Sequence, residues 1–177
     1  MKLKLKSDIE NNKEFQNIIK DLIENDTVNQ MKFYRQHYNT SCYEHCYIVS
    51  YYCYLICKRH NLDYISATRA GMLHDLFLYD WREKSTEHSL HAFKHRKVAC
   101  KNACELFELN EKEKDMIIKH MWPLTVKIPN SKEGFILTLV DKYCAILESL
   151  EGMKNNLIKS KMFRYAYLML FIIIFKK

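Results

Sequence analysis

The sequence predicts an all-α protein built as one helical domain. Only three of its 177 residues are Gly and two are Pro, so residues that form turns or interrupt helices are scarce. Alternating apolar and polar runs flanked by Gly, Pro or Asn-Gly, which would indicate β-hairpins, are absent from the sequence. A chain of this length can bury a substantial core in a single domain. We therefore expect a helical bundle.

The N-terminal region predicts one helix followed by a connector. Ser7 is placed to cap a helix that runs to about Asn25, because apolar residues recur through this stretch at the spacing of one helix face. A polar connector then extends to about Thr40. The expected apolar face consists of Phe15, Ile18, Ile19, Leu22 and Ile23.

A second helix is expected to begin at Ser41 and Glu44, which have the spacing of a capping box, and to end near Lys58. His45 then lies in its first turn. One face of this helix carries cysteines, either as thiolate metal ligands or as small apolar residues at a helix–helix interface. We favour packing, because zinc sites use closely spaced cysteine pairs on turns. The cysteines of this face are Cys42, Cys46, Cys53 and Cys57.

A third helix is predicted from a cap at Asp63 to about Phe77, with His74 and Asp75 near its C-terminal end. Residues 79–93 are polar and charged, which indicates a connector.

Further helices are predicted at about His95–Phe107, Glu111–His120 and Ser131–Glu151. Asp141 lies in the middle of the last one. Gly152 is expected to end that helix as its C′ residue.

The C-terminal segment Met162–Phe175 is almost wholly apolar, with Arg164 as its one charged residue. It is shorter than the roughly twenty residues that a membrane-spanning helix needs. We favour a helix packed in the core or between the subunits of a homodimer, with insertion into a membrane interface as the alternative. The chain thus divides into a helical domain at 1–152, with its motifs at about 34–150, and a hydrophobic extension at 153–177.

The net charge of +7 is spread along the chain, and no nucleic-acid-binding motif accompanies it. Nucleic acid is therefore not expected as the main partner. The seven Cys are an odd number, and the N-terminal residues lack the apolar stretch of an export signal. Free thiols without an export signal indicate the cytoplasm.

Histidines and carboxylates follow one another in an order that suits metal binding. Imidazole and carboxylate together favour divalent iron, manganese, nickel, cobalt or zinc, and magnesium is left open. Asp75 is suited to bridge two ions, although the sequence leaves open whether one or two are bound. The first ion would use His45, His74, Asp75 and Asp141, and the second Asp75, His95 and His120.

These residues give the chain its resemblance to a known family. Over about residues 34–150 it resembles the HD superfamily of metal-dependent phosphohydrolases, and especially its small single-domain bacterial members. The local phrases that carry this resemblance are Thr40–His45, Met72–Trp81, His120–Leu124, and Asp141-Lys142 followed by Glu148.

The chain departs from the family's pattern at several positions. Ala92 and Arg96 replace the Gly and Pro of a His-Gly-Phe-x-His-Pro phrase, which leaves His91 and His95 as alternative ligands, and we favour His95. Arg82 stands where a His is expected. No Gly-Tyr-Pro motif follows, which argues against a cyclic dinucleotide phosphodiesterase.

The resemblance implies hydrolysis of a small-molecule phosphate ester, in particular a nucleotide, by a metal-activated water. Its alternatives are a regulatory module that binds metal and nucleotide without turnover, and a di-iron oxygenase of the same superfamily. Expected catalytic residues are Asp75, His91 and Lys142, and Lys142 has pairing with Glu148 as its structural alternative. His88 is a second proton-donor candidate. Expected substrate contacts are Arg82, Lys94 and Arg96, with Lys97 nearby, and each has a solvated surface charge as its favoured alternative.

Overall fold

A computed structural model describes residues 2–37, 40–79 and 91–159. Within these residues the protein consists of eight α-helices, one short 3₁₀ helix and a two-stranded sheet, so the all-α prediction is confirmed. The elements in chain order are α1 (Lys2–Asn11), α2 (Lys13–Ile23), α3 (Asp26–Gln30), the 3₁₀ helix (Met31–Phe33), β1 (Arg35–His37), β2 (Thr40–Ser41), α4 (Cys42–Arg59), α5 (Tyr64–Leu73), α6 (His91–Leu106), α7 (Glu111–Lys119) and α8 (Lys132–Lys159).

The predicted single helix from Ser7 to Asn25 is wrong, because the chain breaks into α1 and α2 at Asn12. The Asn12 side chain accepts the backbone N–H of Phe15 at 3.1 Å and so caps α2. An Asn side chain that bonds nearby backbone competes with a continuous helix, which explains the break. On the expected apolar face of α2, Phe15, Ile19 and Leu22 are buried and Ile18 and Ile23 are half-buried. The centroids of the Phe15 and Tyr51 rings are 5.1 Å apart.

The predicted polar connector contains short regular elements. Asn25 caps α3, the 3₁₀ helix follows, and β1 then pairs with β2 in an antiparallel hairpin. Strands of two or three residues are too short to show alternation, so the sequence could not reveal them. The hairpin brings Gln36 of β1 next to the candidate site described below.

Helices α4 and α5 form the centre of the fold. The capping box is confirmed, since Ser41 Oγ accepts the Glu44 N–H at 3.2 Å and Glu44 accepts the Ser41 N–H at 3.1 Å. The packing role of the cysteines is also confirmed, because all are free and buried. They are Cys42, Cys46, Cys53 and Cys57.

Asp63 caps α5 as predicted, with its carboxylate accepting the Ser66 N–H at 3.1 Å. The helix ends at Leu73 rather than near Phe77. Tight turns replace the helical hydrogen bonds there, and the Phe77 N–H donates to the Asp75 carbonyl at 2.7 Å. His74 and Asp75 therefore lie in a turn just after the helix.

Two of the later helices, α6 and α8, extend beyond one of their predicted ends. Helix α6 begins at His91 instead of about His95, since no Gly or Pro lies between these positions. Helix α8 continues to Lys159, so Gly152 is a buried residue within a helix and not its C′ residue. The domain boundary drawn at residue 152 thus falls inside one continuous helix. The segment Met162–Phe175 lies outside the described residues.

No helix in the described ranges has both the length and the apolar character needed to cross a bilayer.

Candidate metal centre

Five helices contribute to one buried polar centre. His45 comes from the first turn of α4, His95 from α6 and Asp141 from α8. His74 and His120 occupy the C-caps of α5 and α7. Asp75, which follows His74, completes the cluster, and each of these residues is at most 8% exposed.

The two C-cap histidines are oriented in the same way. The Nδ1 atom of His74 lies 2.8 Å from the Gly71 carbonyl, and that of His120 lies 2.8 Å from the Ile117 carbonyl. A ring whose Nδ1 is held by a backbone carbonyl presents Nε2 to a metal or a carboxylate. Both Nε2 atoms accordingly face the acidic residues of the centre.

One group of ligand atoms surrounds Asp141. Its Oδ1 lies 3.1 Å from His45 Nε2 and 3.6 Å from His74 Nε2. One ligand atom from each of these three residues lies within 4.8 Å of the others, which is compact enough to hold one ion.

The Asp75 carboxylate lies between this group and a second one. Its Oδ1 is 3.2 Å from His95 Nε2 and 3.5 Å from His120 Nε2, whereas its Oδ2 is 3.5 Å from His74 Nε2. The two imidazole Nε2 atoms of His95 and His120 are 3.1 Å apart. Each carboxylate oxygen thus faces different histidines, which is the arrangement that a bridging ligand requires.

The environment of the centre shifts the pKa values of two of its histidines in opposite directions. Burial alone lowers the pKa of His45, but its hydrogen bonds to the carboxylates of Asp141 and Glu148 outweigh this effect and raise the pKa well above its ordinary value. For His120, burial dominates and lowers the pKa to about 4, so that the ring is neutral. Neutral imidazole is the form that binds metal.

The carboxylates remain ionised despite their burial. Burial raises the pKa of Asp75, but the positive charges of His74 and His95 lower it well below its usual range. The hydrogen bond from His45 and the positive charge of His74 likewise lower the pKa of Asp141. The centre therefore offers anionic oxygen ligands at neutral pH.

Three residues contact the candidate ligands although the sequence did not predict these contacts. Gln36 Nε2 donates to Asp75 Oδ2, and the Cys42 thiol donates to the Asp75 carbonyl at 3.1 Å. The Cys46 sulfur is 3.7 Å from His74 Nδ1. The spacing of these residues from the aspartate carries no signal, since the contacts join segments more than twenty-five residues apart in the chain.

Glu148 contacts His45 rather than Lys142. Both of its carboxylate oxygens lie 3.1 Å from His45 Nδ1, so the expected alternative of a Lys142–Glu148 pair is wrong. Its position could have been inferred from sequence, because seven residues are about two helical turns and place it on the same face as Asp141. Lys142 instead donates to the His120 carbonyl at 3.0 Å, and burial lowers its pKa.

The residues that were predicted to contact substrate differ in their exposure to solvent. Arg96 is buried and its Nη1 donates to the Ile118 carbonyl at 2.9 Å, so it joins α6 to the end of α7. Lys94 and Lys97 are exposed. His91 lies in α6, with its side chain outside the described part of the structure. Arg82 and His88 lie outside the described residues.

The buried donors fit a divalent cation. His74 Nε2 and Asp75 Oδ1 are both buried and have no hydrogen-bond partner. Buried polar side-chain atoms are usually satisfied, so two such atoms in one cluster need an explanation, and a coordinated cation supplies one. Imidazole nitrogens and carboxylate oxygens are the donors that first-row divalent ions prefer.

The HD domain family matches residues 42–146, which is more than half of the chain and includes the whole cluster from His45 to Asp141. The chain belongs to the HD domain family. HD domains bind divalent metal ions, and most are metal-dependent hydrolases. The searches of curated proteins and of solved structures found no significant match.

Proposed function

We propose that this HD domain protein hydrolyses a nucleotide or related phosphate ester with a metal-activated water. The observation that carries the proposal is the Asp75 carboxylate, whose two oxygens face separate groups of histidines. This geometry supports a pair of ions over a single one. HD family membership supports hydrolysis as the reaction class.

The ligands divide between two positions around the bridging carboxylate. His45, His74, Asp75 and Asp141 would hold the first ion, and Asp75, His95 and His120 the second. Divalent cations there would supply a water of lowered pKa and neutralise charge on the phosphoryl oxygens.

The surrounding residues orient these ligands. Glu148 holds the His45 ring through Nδ1, and a carboxylate in that position fixes the ring and makes its other nitrogen more basic. Lys142 lies 4.0 Å from Asp141 Oδ2 and has a lowered pKa, so it is our candidate to contact a phosphate oxygen or to protonate the leaving group. His91, Arg82 and Lys94 remain predictions for the same roles.

The proposal is tested by metal analysis of the purified protein and a phosphate-release screen over nucleotides and dinucleoside polyphosphates. Asp75→Ala should lose bound metal and reduce turnover by about three orders of magnitude or more, since it removes a ligand of both ions. Asp8→Ala, which changes an exposed carboxylate on α1, is the matched control and should retain both properties.

Full activity and metal content in Asp75→Ala would overturn the proposal. A protein that binds metal and nucleotide without releasing phosphate would identify the regulatory module instead. Activity that requires oxygen, with mixed-valence iron detected by spectroscopy, would identify the oxygenase alternative.

A further inference from the structure

Helix α8 has a second apolar face that lies opposite its contribution to the metal centre. Its inner face carries Asp141, Cys144 and Glu148, which are buried against the rest of the domain. No described residue covers the outer face. The exposed side chains of that face are Phe135 (36%), Leu139 (63%), Tyr143 (54%), Ile146 (59%) and Leu150 (55%).

The outer face follows the repeat of a coiled coil. Leu139, Tyr143, Ile146 and Leu150 are separated by four, three and four residues, and the half-buried Ile136 extends the series by three in the N-terminal direction. A sustained alternation of three and four residues is the pattern of the a and d positions, whose side chains pack against a second helix of the same type. In the sequence, Met153 and Leu157 continue the same register.

The apolar surface is broader than the helix itself. The Tyr143 ring contacts the Tyr52 ring of α4 at 6.3 Å, and Leu55, about one turn further along α4, is 41% exposed. At the other end, the Phe135 ring contacts the Trp122 ring at 5.6 Å. These contacts extend the face to both sides of α8.

The area of this exposed apolar surface approaches the area that a stable protein–protein interface buries on each partner. A large apolar side chain presents roughly 150–250 Å² when fully exposed, so the five exposed side chains of α8 leave on the order of 500 Å² in solvent. This is toward the upper end of the roughly 300–600 Å² of the largest apolar patch on a typical monomer, and patches of that size are often functional. With the flanking residues of α4, it nears the roughly 800 Å² per partner of a standard complex.

Charged groups do not oppose burial of this face. Lys142 is the one charged residue between Leu139 and Leu150 that neighbours the stripe, apart from the inward-facing Asp141 and Glu148. Its ammonium group is held inward by the carbonyls of His120 and Thr138, at 3.0 and 3.4 Å. The outer face can therefore be covered without leaving a buried charge unpaired.

We propose that this face binds a second copy of the same chain, with α8 packed against α8 around a twofold axis. A single helix with a coiled-coil repeat is complementary to itself, and a twofold axis places the same patch on both subunits. Since the inner face of α8 carries Asp141, dimerisation would also fix the helix that positions the first group of ligands.

The test is the mass of the full chain in solution, measured by sedimentation velocity and light scattering over a range of concentrations. Wild type should be a dimer. Ile146→Lys and Leu139→Lys should each weaken it by about a hundredfold or more, since an ammonium group would lose its water at the interface. Ile65→Lys is the matched control, because Ile65 is 50% exposed on α5 and lies outside the stripe.

Two results would overturn the proposal. A dimer that survives both substitutions on α8 would have a different interface. A monomeric wild type whose melting temperature falls with Ile146→Lys would show that another part of its own chain, such as Met162–Phe175, covers the face. Circular dichroism of each variant would verify that the helical fold is intact.

Discussion

At the scale of single residues, Asp75 accepts a hydrogen bond from a residue that lies outside the HD match. Gln36 precedes residue 42, where the match begins, yet its amide donates to Asp75 Oδ2. The same Asp75 oxygen lies 3.5 Å from His74 Nε2. Gln36 thus restrains the oxygen that faces the first group of ligands. A hydrogen bond to a metal ligand fixes its orientation and so contributes to affinity.

We expect Gln36→Leu to weaken metal binding about 10- to 100-fold, because the carboxylate loses the donor that restrains it. The measurement is competition between the protein and a fluorescent chelator. Gln16→Leu is the matched control, since Gln16 donates to the Tyr47 hydroxyl at 2.8 Å and to the Ile9 carbonyl at 2.9 Å, away from the centre. Equal metal affinity in the two variants would contradict the positioning role of Gln36.

At the scale of elements, the close approach of α4 and α5 sets the distance between His45 and His74. The Ser50 hydroxyl of α4 donates to the Thr68 carbonyl of α5 at 2.6 Å. A Cβ added at Gly71 would lie 2.8 Å from Ser50 Cα, which is a backbone atom that no rotamer change can move. The helices can approach this closely only because residue 71 lacks a side chain.

Gly71→Ala should therefore destabilise the fold by about 1–3 kcal/mol through overpacking, measured by urea denaturation. Helix propensity alone would predict the opposite sign, a gain of about 1 kcal/mol. Gly134→Ala is a useful comparison. Its added Cβ would also lie 2.8 Å from another atom, but that atom is the Cβ of Pro129, a residue in a loop. We expect a smaller loss there, and a stabilised Gly71→Ala would refute the steric argument.

At the scale of the whole molecule, the centre links helices that are distant in sequence. His45 and Asp141, for example, are 96 residues apart and meet at 3.1 Å. Ions bound at this centre would stabilise the folded state, since their ligands come from five helices and do not converge in the unfolded chain.

Removal of metal by a chelator should accordingly lower the melting temperature of the wild type. A ligand present at a hundred times its Kd stabilises a folded protein by about 2.7 kcal/mol. Differential scanning fluorimetry resolves the corresponding change in melting temperature. Asp75→Ala should show no change on addition of chelator or metal. If the wild type were equally insensitive, the proposed coupling between metal binding and folding would be absent.

Much of the fold was predictable because the signals are local. The capping box at Ser41 and the cap at Asp63 act over three residues, and the structure contains both. The same local chemistry explains the error at Asn12, whose capping capacity was overlooked in a stretch with continuous apolar spacing. The predicted end of α5 was wrong because local turn hydrogen bonds after Leu73 replace the helical ones, and that of α8 was wrong because Gly152 lies within the helix.

The sequence by itself determined the helical class, the main helices and the order of histidines and aspartates that indicates an HD domain, since these depend on residue type and short spacing. The tertiary structure alone decided that the Asp75 oxygens face different histidines, that Gln36 and Glu148 hold ligands, and that Arg96 binds backbone. It also left one face of α8 exposed. The reason is that these contacts join distant segments, and packing, not local spacing, selects which of them meet.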